Sequence, residues 1–423
     1  MTIINAIQDH LDHLVKQIGC RMIGTEGNLV AADYIEDVFK QAKLEVRRQS
    51  YPCLSWRAER CALRIAGQTV EAIPNTFSPP CQITANMVLV RTIEELERAD
   101  VGNCLLVLCG ELTSDPIMSL VDHAVYLPER DRKIGVLLRQ KQPQAIVTVS
   151  LAPGYTPILL EDPRLNIPSV TVSAEVGLLI TQNINSPASL EIVSDVKPGQ
   201  TCNVIGVNCS PSQAKRIIMC AHYDTKNGTL GAWDNASGVA ALLALAQHYA
   251  LNPPPVSIEF VAFSAEEYGI EDSFEDPYLT EYGLSIPPFV YGQEIAAPYR
   301  ASELDEVLAV INFDGIGQLL TANTVATMAC SEALKALVRE VKQSFPGIVA
   351  VSGWPASNHY GFSANGIPSI PLGSVEMKNV LHVPNDTVEW VSAKHIDEVA
   401  EFAQQVVINL ADKSPTWSRM QRR

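Results

Sequence analysis

Apolar residues recur every three or four positions over residues 3–18, which predicts an amphipathic helix at the start of the chain. The same spacing over residues 30–39 predicts a second helix, behind the Gly-Thr-Glu-Gly turn at 24–27. Residues 46–51 then predict a β-strand. The first sixty residues therefore combine two helices with a strand.

Longer apolar runs dominate the second half of the chain and alternate with helical stretches. Runs at 217–220, 256–263 and 307–313 predict buried strands, and residues 239–249 predict a helix that Ser237 caps. Strands that alternate with helices favour a largely parallel sheet. The sequence therefore predicts an α/β fold, with a mixed, mostly parallel sheet and helices on both faces.

Between these blocks the pattern changes to short β runs, brief helical stretches and loops punctuated by proline. We interpret residues 61–198 as a β-rich α/β domain inserted into the main domain. The main domain then consists of residues 1–60 and 199–413, followed by a tail over 414–423, whose last residues, 419–423, we expect to be solvated. The residues singled out below for chemistry all lie outside the insertion.

Residues of metal-ligating type occur in order along the second half of the chain. They are His222, Asp234, the pair Glu266 and Glu267, Asp314 and His382. Each follows or lies near an apolar run, and the carboxyl ends of strands are where α/β proteins build their sites. Carboxylates and imidazoles suit Zn²⁺ or a similar divalent ion, and the set exceeds the needs of one tetrahedral ion. This surplus predicts two ions that share a carboxylate, with a spare Glu as general base.

Short motifs around these residues resemble those of the M28 family of zinc peptidases. They are His222-Tyr223-Asp224, Asp234-Asn235-Ala236-Ser237-Gly238, Glu266-Glu267, Asp314 and His382-Val383-Pro384-Asn385-Asp386-Thr387, in the family's order. The segment from Arg21 to Gly27 is similar to the R-x-x-G-T-E-G opening of these peptidases. The resemblance implies the zinc exopeptidase fold.

The same resemblance implies two zinc ions per chain. His222 and Asp314 would hold one ion. Glu267 and His382 would hold the other, and Asp234 would bridge the two through its two oxygens. In the family, the peptide bond after the bridging Asp is often cis.

Two further residues have catalytic roles by resemblance. Glu266 would take the proton of the attacking water and pass it to the leaving amine. Asp224 would accept a hydrogen bond from the second ring nitrogen of His222 and so fix its tautomer. Both are therefore expected within reach of the metal ligands.

The stretch 357–362 resembles the S-D-H-x-x-F stretch of the family, with Asn358 at the position of the Asp. By this resemblance His359 and Tyr360 would bind substrate. The departure at Asn358 leaves a second interpretation open, in which both residues have a hydrogen-bonded structural role.

The function implied is that of a binuclear zinc exopeptidase, an aminopeptidase that hydrolyses N-terminal residues from peptides through a metal-bridging hydroxide. No Arg or Lys lies within the core motifs, which favours binding of an amino end over the carboxyl end that a carboxypeptidase binds. Two alternatives stay open: a glutaminyl cyclase-like acyltransferase with one zinc, and a non-catalytic receptor-like relative. The insertion resembles a protease-associated domain, with an unrelated α/β insertion as the alternative.

The composition of the chain limits the kinds of partner that we expect it to bind. The formal net charge of −16 argues against nucleic acid, so a peptide substrate is the expected partner. No run approaches the length of a transmembrane helix and the N-terminus lacks the features of a secretory signal, so we expect no membrane contact and a cytoplasmic location. The ten cysteines form no CxxC pair and favour reduced thiols, with a few disulfides as the alternative. A homo-oligomer is compatible with the sequence.

The connection between Glu267 and Asp314 is longer than the usual connection in the family. Its residues 268–303 include acidic, aromatic and proline residues that predict no regular element. Because it begins beside a metal ligand, we predict that residues 272–291 wall the mouth of the active site and restrict access to short peptides or free termini. The alternative is a surface excursion or a subunit contact.

Overall fold

The computed structural model describes residues 2–120, 127–208, 215–271, 289–290 and 301–420. The helices are α1 Ile3–Asp12, α2 Glu26–Gln41, α3 Ile93–Arg98, α4 Glu129–Lys141, α5 Ala174–Gln182, α6 Ser237–Leu251, α7 Ala301–Asp305, α8 Glu332–Lys342, α9 His359–Ala364, α10 Ala393–Leu410 and α11 Pro415–Ser418. The strands are β1 Glu45–Ile65, β2 Gln68–Val70, β3 Ile73–Pro74, β4 Cys81–Ala85, β5 Met87–Val90, β6 Leu105–Leu108, β7 Ala145–Val149, β8 Ser169–Val172, β9 Ala188–Asn208, β10 Arg216–His222, β11 Ser257–Phe263, β12 Ile270–Glu271, β13 Phe289–Val290, β14 Val307–Phe313, β15 Asn323–Val325, β16 Ile348–Ala350 and β17 Ser369–Ser374. Shorter helical turns cover His13–Ile18, Gly110–Thr113, Ala232–Ala236 and Val388–Trp390.

The chain forms two compact units. Unit 1 contains residues 1–52, 200–269 and 291–423, and unit 2 contains residues 53–199 and 270–290. The predicted insertion began at residue 61. Unit 2 begins at Cys53, inside β1, and this strand has no loop there that a sequence pattern could mark, so the bounds of the insertion stay a prediction.

A mixed sheet forms the centre of unit 1, with its strands in the order β16-β15-β17-β14-β10-β11-β9. The four neighbours β17, β14, β10 and β11 are parallel, whereas β15 is antiparallel to β17 and parallel to β16, and β9 is antiparallel to β11. Their register pairs Cys220 with Asn312 and His222 with Phe263. The parallel strands are buried almost throughout, as expected for strands covered on both faces. The predicted mixed, mostly parallel sheet is therefore confirmed.

Alternate residues of β10 face opposite sides of this sheet. Ile217 and Met219 pack in the large core that includes α6, whereas Ile218 and Cys220 pack in a second core that includes Phe362 of α9. Helix α6 is buried along residues 237–246, because its apolar side chains leave no polar face, and α1 and α10 pack against it. This packing fixes the sheet edge at which His222 lies.

Unit 2 has its own sheet, in the order β3-β8-β7-β6-β5. Strands β8, β7, β6 and β5 are parallel, and β3 is antiparallel to β8. Within the same unit β1 pairs with β2, and β4 with β9, both antiparallel. Leu105 and Leu106 pack on opposite faces of the sheet, in two separate cores. Unit 2 is thus an α/β unit with a core of its own.

The predicted solvated tail is wrong in part. Helix α11 begins after Ser414, whose hydroxyl accepts a hydrogen bond from the backbone N–H of Trp417. The guanidinium of Arg419 donates to Asp305 at 3.2 Å and to the carbonyl of Leu304. Residues 414–419 are therefore held against unit 1, because their polar groups find partners there.

Two other expectations concern the described residues only in part. Residues 272–291, which we predicted to wall the mouth of the active site, lie almost wholly outside the described residues. Within this range only β13 is described, through its pairing with β12. The nine cysteines within the described residues carry free thiols. Among the described residues, no helix is both long enough and apolar enough to span a bilayer.

Candidate metal centre

Three neighbouring parallel strands of unit 1 deliver most of the predicted site. His222 is the last residue of β10, Glu266 and Glu267 follow β11, and Asp314 follows β14 directly. The backbone N–H of Asp314 donates to the carbonyl of Leu372 in β17 at 2.9 Å, which continues the ladder past the strand end. These side chains meet because the carboxyl ends of parallel strands lie at one edge of a sheet.

The two remaining ligand candidates come from loops, so the strand-end expectation fails for them. Asp234 lies in the turn Ala232–Ala236 before α6, and its peptide bond to Asn235 is cis. His382 lies between β17 and the turn Val388–Trp390 and has a backbone φ of 59°. Both loops fold over the sheet edge and bring their side chains to the strand-end residues.

Asp234 faces both histidines at once. Its Oδ1 lies 3.2 Å from Nε2 of His222, and its Oδ2 lies 2.9 Å from Nε2 of His382. The side chain of Asp234 is only 8% exposed. One carboxylate thus uses each of its oxygens toward a different imidazole.

Each histidine has a second carboxylate beside it. Oδ1 of Asp314 lies 3.2 Å from Nε2 of His222, and Oε2 of Glu267 lies 3.3 Å from Nε2 of His382. Ligand atoms at 2.0–2.1 Å from one tetrahedral zinc lie roughly 3.3 Å from one another. Oε1 of Glu267 is buried without a hydrogen-bond partner, as suits an oxygen that binds a cation. The donor set and its spacing therefore fit zinc beside Asp234.

His222 is oriented from behind by Asp224. Nδ1 of His222 lies 3.2 Å from the backbone carbonyl of Asp224 and 3.6 Å from its carboxylate, so the carbonyl is the nearer acceptor. The carboxylate instead accepts the backbone N–H groups of Glu266 at 3.3 Å and Glu267 at 3.1 Å. Asp224 therefore links the end of β10 to the Glu pair after β11, a connection that the motif alone did not reveal.

Asp386 orients Asp234, a role that sequence reasoning missed. Its two carboxylate oxygens accept the backbone N–H groups of Trp233 at 2.7 Å and of Asp234 at 3.0 Å. Burial raises the pKa of Asp386 to about 7, against these two hydrogen bonds, which lower it. The available signal was its place in the H-x-P-x-D-T stretch, four residues after His382.

Ser237 and Asn235 fix the same turn, although not as predicted. Ser237 is the first residue of α6 and makes no cap; its hydroxyl donates to the carbonyl of Trp233 at 2.7 Å. Oδ1 of Asn235 accepts the N–H groups of Gly238 and Gly315, and its Nδ2 donates to a main-chain carbonyl of β14. These contacts tie the turn that carries Asp234 to the end of β14.

Lys226 is a second residue that the motifs did not indicate. Its ammonium donates to the backbone carbonyl of Glu267 at 2.8 Å and lies 4.0 Å from Oε2 of that residue. It also lies 4.2 Å from the centre of the Tyr268 ring. Lys226 thus holds the backbone of a ligand candidate through a contact between distant parts of the chain, which no local pattern shows.

Glu266 differs from the neighbouring Glu267 in lying off the ligand positions. Its Oε2 is 4.0 Å from Nε2 of His222, and its side chain is 18% exposed. Burial raises the pKa of Glu266 well above its usual value; His222 opposes the rise and the charge of Asp314 adds to it. A carboxyl group with a raised pKa beside a metal centre is suited to accept and return a proton.

The buried groups shift one another's pKa. Burial would raise the pKa of Asp234, but hydrogen bonds with His222 and His382 outweigh it and hold that pKa below its usual value. Burial raises the pKa of Glu267 to about 7, and the charge of Asp234 adds to the rise. Partial burial would lower the pKa of His382, yet Glu267 and Asp234 raise it to about 9. A proton and a metal ion would therefore compete for the ring of His382.

These residues line one cavity of about 490 Å³ in unit 1. Its walls also include Trp233, Gly315, Thr324, Val351, Trp354, Ala356, Gly373, Ser374, Val375, Glu376 and Leu381. A volume of this size accommodates a small organic ligand. Of the polar lining groups, Glu376 stands apart from the ligand cluster and is exposed.

His359 and Tyr360 are not among the lining residues. The ring of His359 is fully buried; its Nε2 donates to the carbonyl of Trp354 at 2.7 Å, and its Nδ1 lies 3.4 Å from Nδ2 of Asn312. Burial lowers the pKa of His359 to about 4, so the ring is neutral. Tyr360 is half-buried in α9. The geometry gives His359 contacts that support Trp354, which itself lines the cavity.

A carboxylate with both oxygens in use, flanked by two imidazoles and two further carboxylates, defines a centre of the zinc hydrolase class. Residues 203–407 match the family model described as Peptidase family M28, and that range contains every ligand candidate. The chain therefore contains a domain that matches peptidase family M28.

Curated relatives agree with this assignment. The chain is 25% identical to the aminopeptidase YwaD of Bacillus subtilis over 95% of this chain and 84% of the relative. It is also 25% identical to the "Probable lipoprotein aminopeptidase LpqL" of Mycobacterium tuberculosis, over 60% of this chain. That match spans only 50% of the length of LpqL.

Solved structures share the fold. A structure described as Peptidase M28 precursor from Shewanella amazonensis has a TM-score of 0.76 at 19% identity, over 97% of this chain and 95% of that one. The zinc aminopeptidase BSAP from Bacillus subtilis has a TM-score of 0.74 at 19% identity, over 99% and 95%. At these identities the likeness establishes the fold.

Proposed function

We propose that the chain is a binuclear zinc aminopeptidase that removes N-terminal residues from peptides. The observation that carries the proposal is the position of Asp234, whose two oxygens face His222 on one side and His382 on the other. One ion would take the side of His222 and Asp314, and the other the side of His382 and Glu267. The names of the curated relatives support the aminopeptidase activity.

The chemistry is divided between the ions and Glu266. When bound, the two zinc ions would polarise the scissile carbonyl and acidify the attacking water. Glu266 is not needed as a ligand, so its carboxylate accepts the proton that this water loses. The same group then donates the proton to the leaving amine, which completes hydrolysis without a free proton in solution.

The charge of the cavity lining favours binding of the amino end of the peptide. Among the described residues that line the cavity there is no Lys or Arg. The four acidic residues of the cluster, Asp234, Glu266, Glu267 and Asp314, would balance two Zn²⁺ ions in charge, and Glu376 remains as an additional carboxylate. A cavity with this balance attracts a cationic amine and repels a terminal carboxylate.

A panel of peptides with free or blocked ends tests the proposal, with Zn²⁺ or Co²⁺ added. We expect hydrolysis of peptides that have a free amino end, whether or not the carboxyl end is amidated, and no hydrolysis after N-acetylation. Cleavage that requires a free carboxyl end would contradict the proposal. Release of ammonia from peptides with N-terminal Gln, with one ion per chain, would favour the cyclase alternative.

The insertion is part of the same proposal. We assign residues 61–198 to a protease-associated-like domain on their sequence pattern, and propose that it helps to limit the substrates to short peptides. Truncated and extended peptides of one sequence provide the test. A fall in kcat/KM with increasing peptide length supports a limit on length, and a flat dependence contradicts it.

A further inference from the structure

Arg21 is a fully buried arginine whose guanidinium binds only main-chain carbonyls. Its Nε donates to Tyr223 at 2.8 Å, and its Nη2 donates to Gly231 at 2.8 Å. Its Nη1 contacts the carbonyls of Leu230 and Gly19 at 2.8 Å and of Leu14 at 3.3 Å. Within the described residues no carboxylate lies at ion-pair distance. A buried charge without an ion-pair partner is costly, so these carbonyls must compensate for it.

Three of these carbonyls belong to one loop of the metal centre, residues 223–231. Tyr223 lies between His222 and Asp224, and Gly231 lies three residues before Asp234. The backbone N–H of Arg21 also donates to Oγ1 of Thr225 at 3.0 Å, inside the same loop. One side chain therefore fastens both ends of the loop that joins His222 to Asp234.

The close approach at Gly231 shows how tightly this end is held. Its φ is +56°, and a Cβ there would lie 2.5 Å from the carbonyl oxygen of Asp234 and 3.0 Å from Nη2 of Arg21. Any side chain would push the guanidinium and the ligand turn apart. The position of the turn that carries Asp234 thus depends on contact with Arg21.

The same N-terminal segment also reaches the strand end that carries the Glu pair. Nδ2 of Asn28 donates to the carbonyl of Arg21 at 3.0 Å and to Oγ of Ser264 at 3.1 Å. Ser264 precedes Ala265, a non-glycine residue with φ of +59°, and then Glu266. Arg21 and Asn28 therefore connect the ends of β10 and β11 from behind the site.

We propose that Arg21 is a positioning residue for the metal centre, acting through the 223–231 loop on His222 and Asp234. The inference rests on the proposed function, since it assigns a role toward the ions. Arg21 does not touch substrate or ions. It acts because five carbonyls converge on one planar group whose donors have fixed directions, a geometry that an ammonium group does not reproduce.

The test is a titration of metal-free protein with Co²⁺, followed by its visible absorption, for the wild type, Arg21→Lys and Arg21→Met. We expect both variants to bind the first Co²⁺ ion that they take up about 10–100-fold more weakly than the wild type does. This is the usual effect of losing a group that orients a metal ligand. Zinc-loaded variants should lose kcat with little change in KM. Arg21→Lys keeps the charge and some donors, so it reports on geometry even if Arg21→Met does not fold.

Arg139→Met is the matched control. It also removes a buried guanidinium, one that contacts Asp162 at 2.8 Å in unit 2. Thermal stability should fall in this variant while both Co²⁺ affinities stay unchanged. Wild-type affinity in Arg21→Lys and Arg21→Met, or an equal loss in Arg139→Met, would overturn the positioning role. A wild type that binds no ion would overturn the proposed function and this inference with it.

Discussion

The two halves of the metal centre hold their histidines in different ways. His222 ends a buried strand, its side chain is 1% exposed, and its Nδ1 has the carbonyl of Asp224 as a partner. His382 lies in a loop with a φ of 59°, its side chain is 43% exposed, and its ring contacts with Asp234 and Glu267 are both made by Nε2. His222 is therefore preorganised. His382 is held mainly by Asp234 and Glu267, the two groups with which it would share an ion.

This difference predicts unequal affinity for the two ions. A ligand that is already fixed loses little freedom when it binds a metal, but a ligand on an exposed loop must be ordered at that moment. The half with His222 and Asp314 should therefore take the first ion. The half with His382 and Glu267 should take the second, weaker ion, with Asp234 common to both.

The largest expected effect comes from Glu266, which lies 4.0 Å from the buried histidine. Glu266→Gln keeps the size of the side chain but removes the proton acceptor. We expect kcat to fall by about 10²–10⁴-fold, the range for a positioned acid–base group, while both ions stay bound. Glu376→Gln, in the wall of the same cavity, is the matched control and should retain kcat. The measurement is steady-state kinetics together with metal analysis. A near-wild-type kcat in Glu266→Gln would show that Glu266 is not the acid–base group.

Removing one histidine at a time tests the asymmetry directly. His222→Ala should abolish the tight step of metal binding, because it removes the preorganised ligand. His382→Ala should lose the weak step and leave one ion tightly bound. Calorimetric titration of both variants with Zn²⁺ gives the measurement. Equal losses from the two substitutions would show that the halves are equivalent.

A smaller effect is expected from the carboxylates behind the ligands. Asp224→Asn should weaken the second ion by about 10–100-fold, because it alters the carboxylate that accepts the N–H groups of Glu266 and Glu267 but keeps the backbone carbonyl that contacts His222. Asp386→Asn acts on Asp234, which both halves share, and should weaken both ions. The two variants should therefore differ in which Zn²⁺ affinities they lose. If both variants lost the same affinities, the two halves of the metal centre would not differ as we propose.

A further expected effect is a dependence of metal affinity on pH. The pKa of His382 is raised to about 9 by Glu267 and Asp234, so the metal-free protein carries a proton on this ring at neutral pH. The second ion must displace that proton. Its affinity should therefore rise with pH, by up to about tenfold per unit, and level off above about 9. Titrations between pH 6 and pH 10, with proton release measured in buffers of different ionisation enthalpy, check this; a flat profile would contradict it.

Sequence reasoning succeeded where apolar runs are long. Strand β14 has the predicted bounds, because its apolar run is continuous and buried throughout. The ligand candidates were found as a set because their residue types and order match a family motif, and the structure places them around one cavity. Their individual roles stay predictions, as does the protease-associated resemblance of residues 61–198.

What the sequence could not show are contacts between distant positions. Arg21 lies about two hundred residues from the carbonyls of Tyr223 and Gly231, and Asp386 lies similarly far from the N–H of Asp234. No local period encodes such partners, because they depend on which loops meet at the sheet edge. Ser237 was expected to cap α6, but its hydroxyl donates to the carbonyl of Trp233, because the chain enters α6 through the helical turn Ala232–Ala236.

The central claim is that Asp234 joins two unequal metal sites. Titration of metal-free wild-type protein with Zn²⁺, with the bound metal counted by elemental analysis, tests it most directly. We expect two ions per chain at saturation, bound in two steps, the first tighter than the second. Saturation at one ion per chain, or two ions bound with equal affinity, would contradict it.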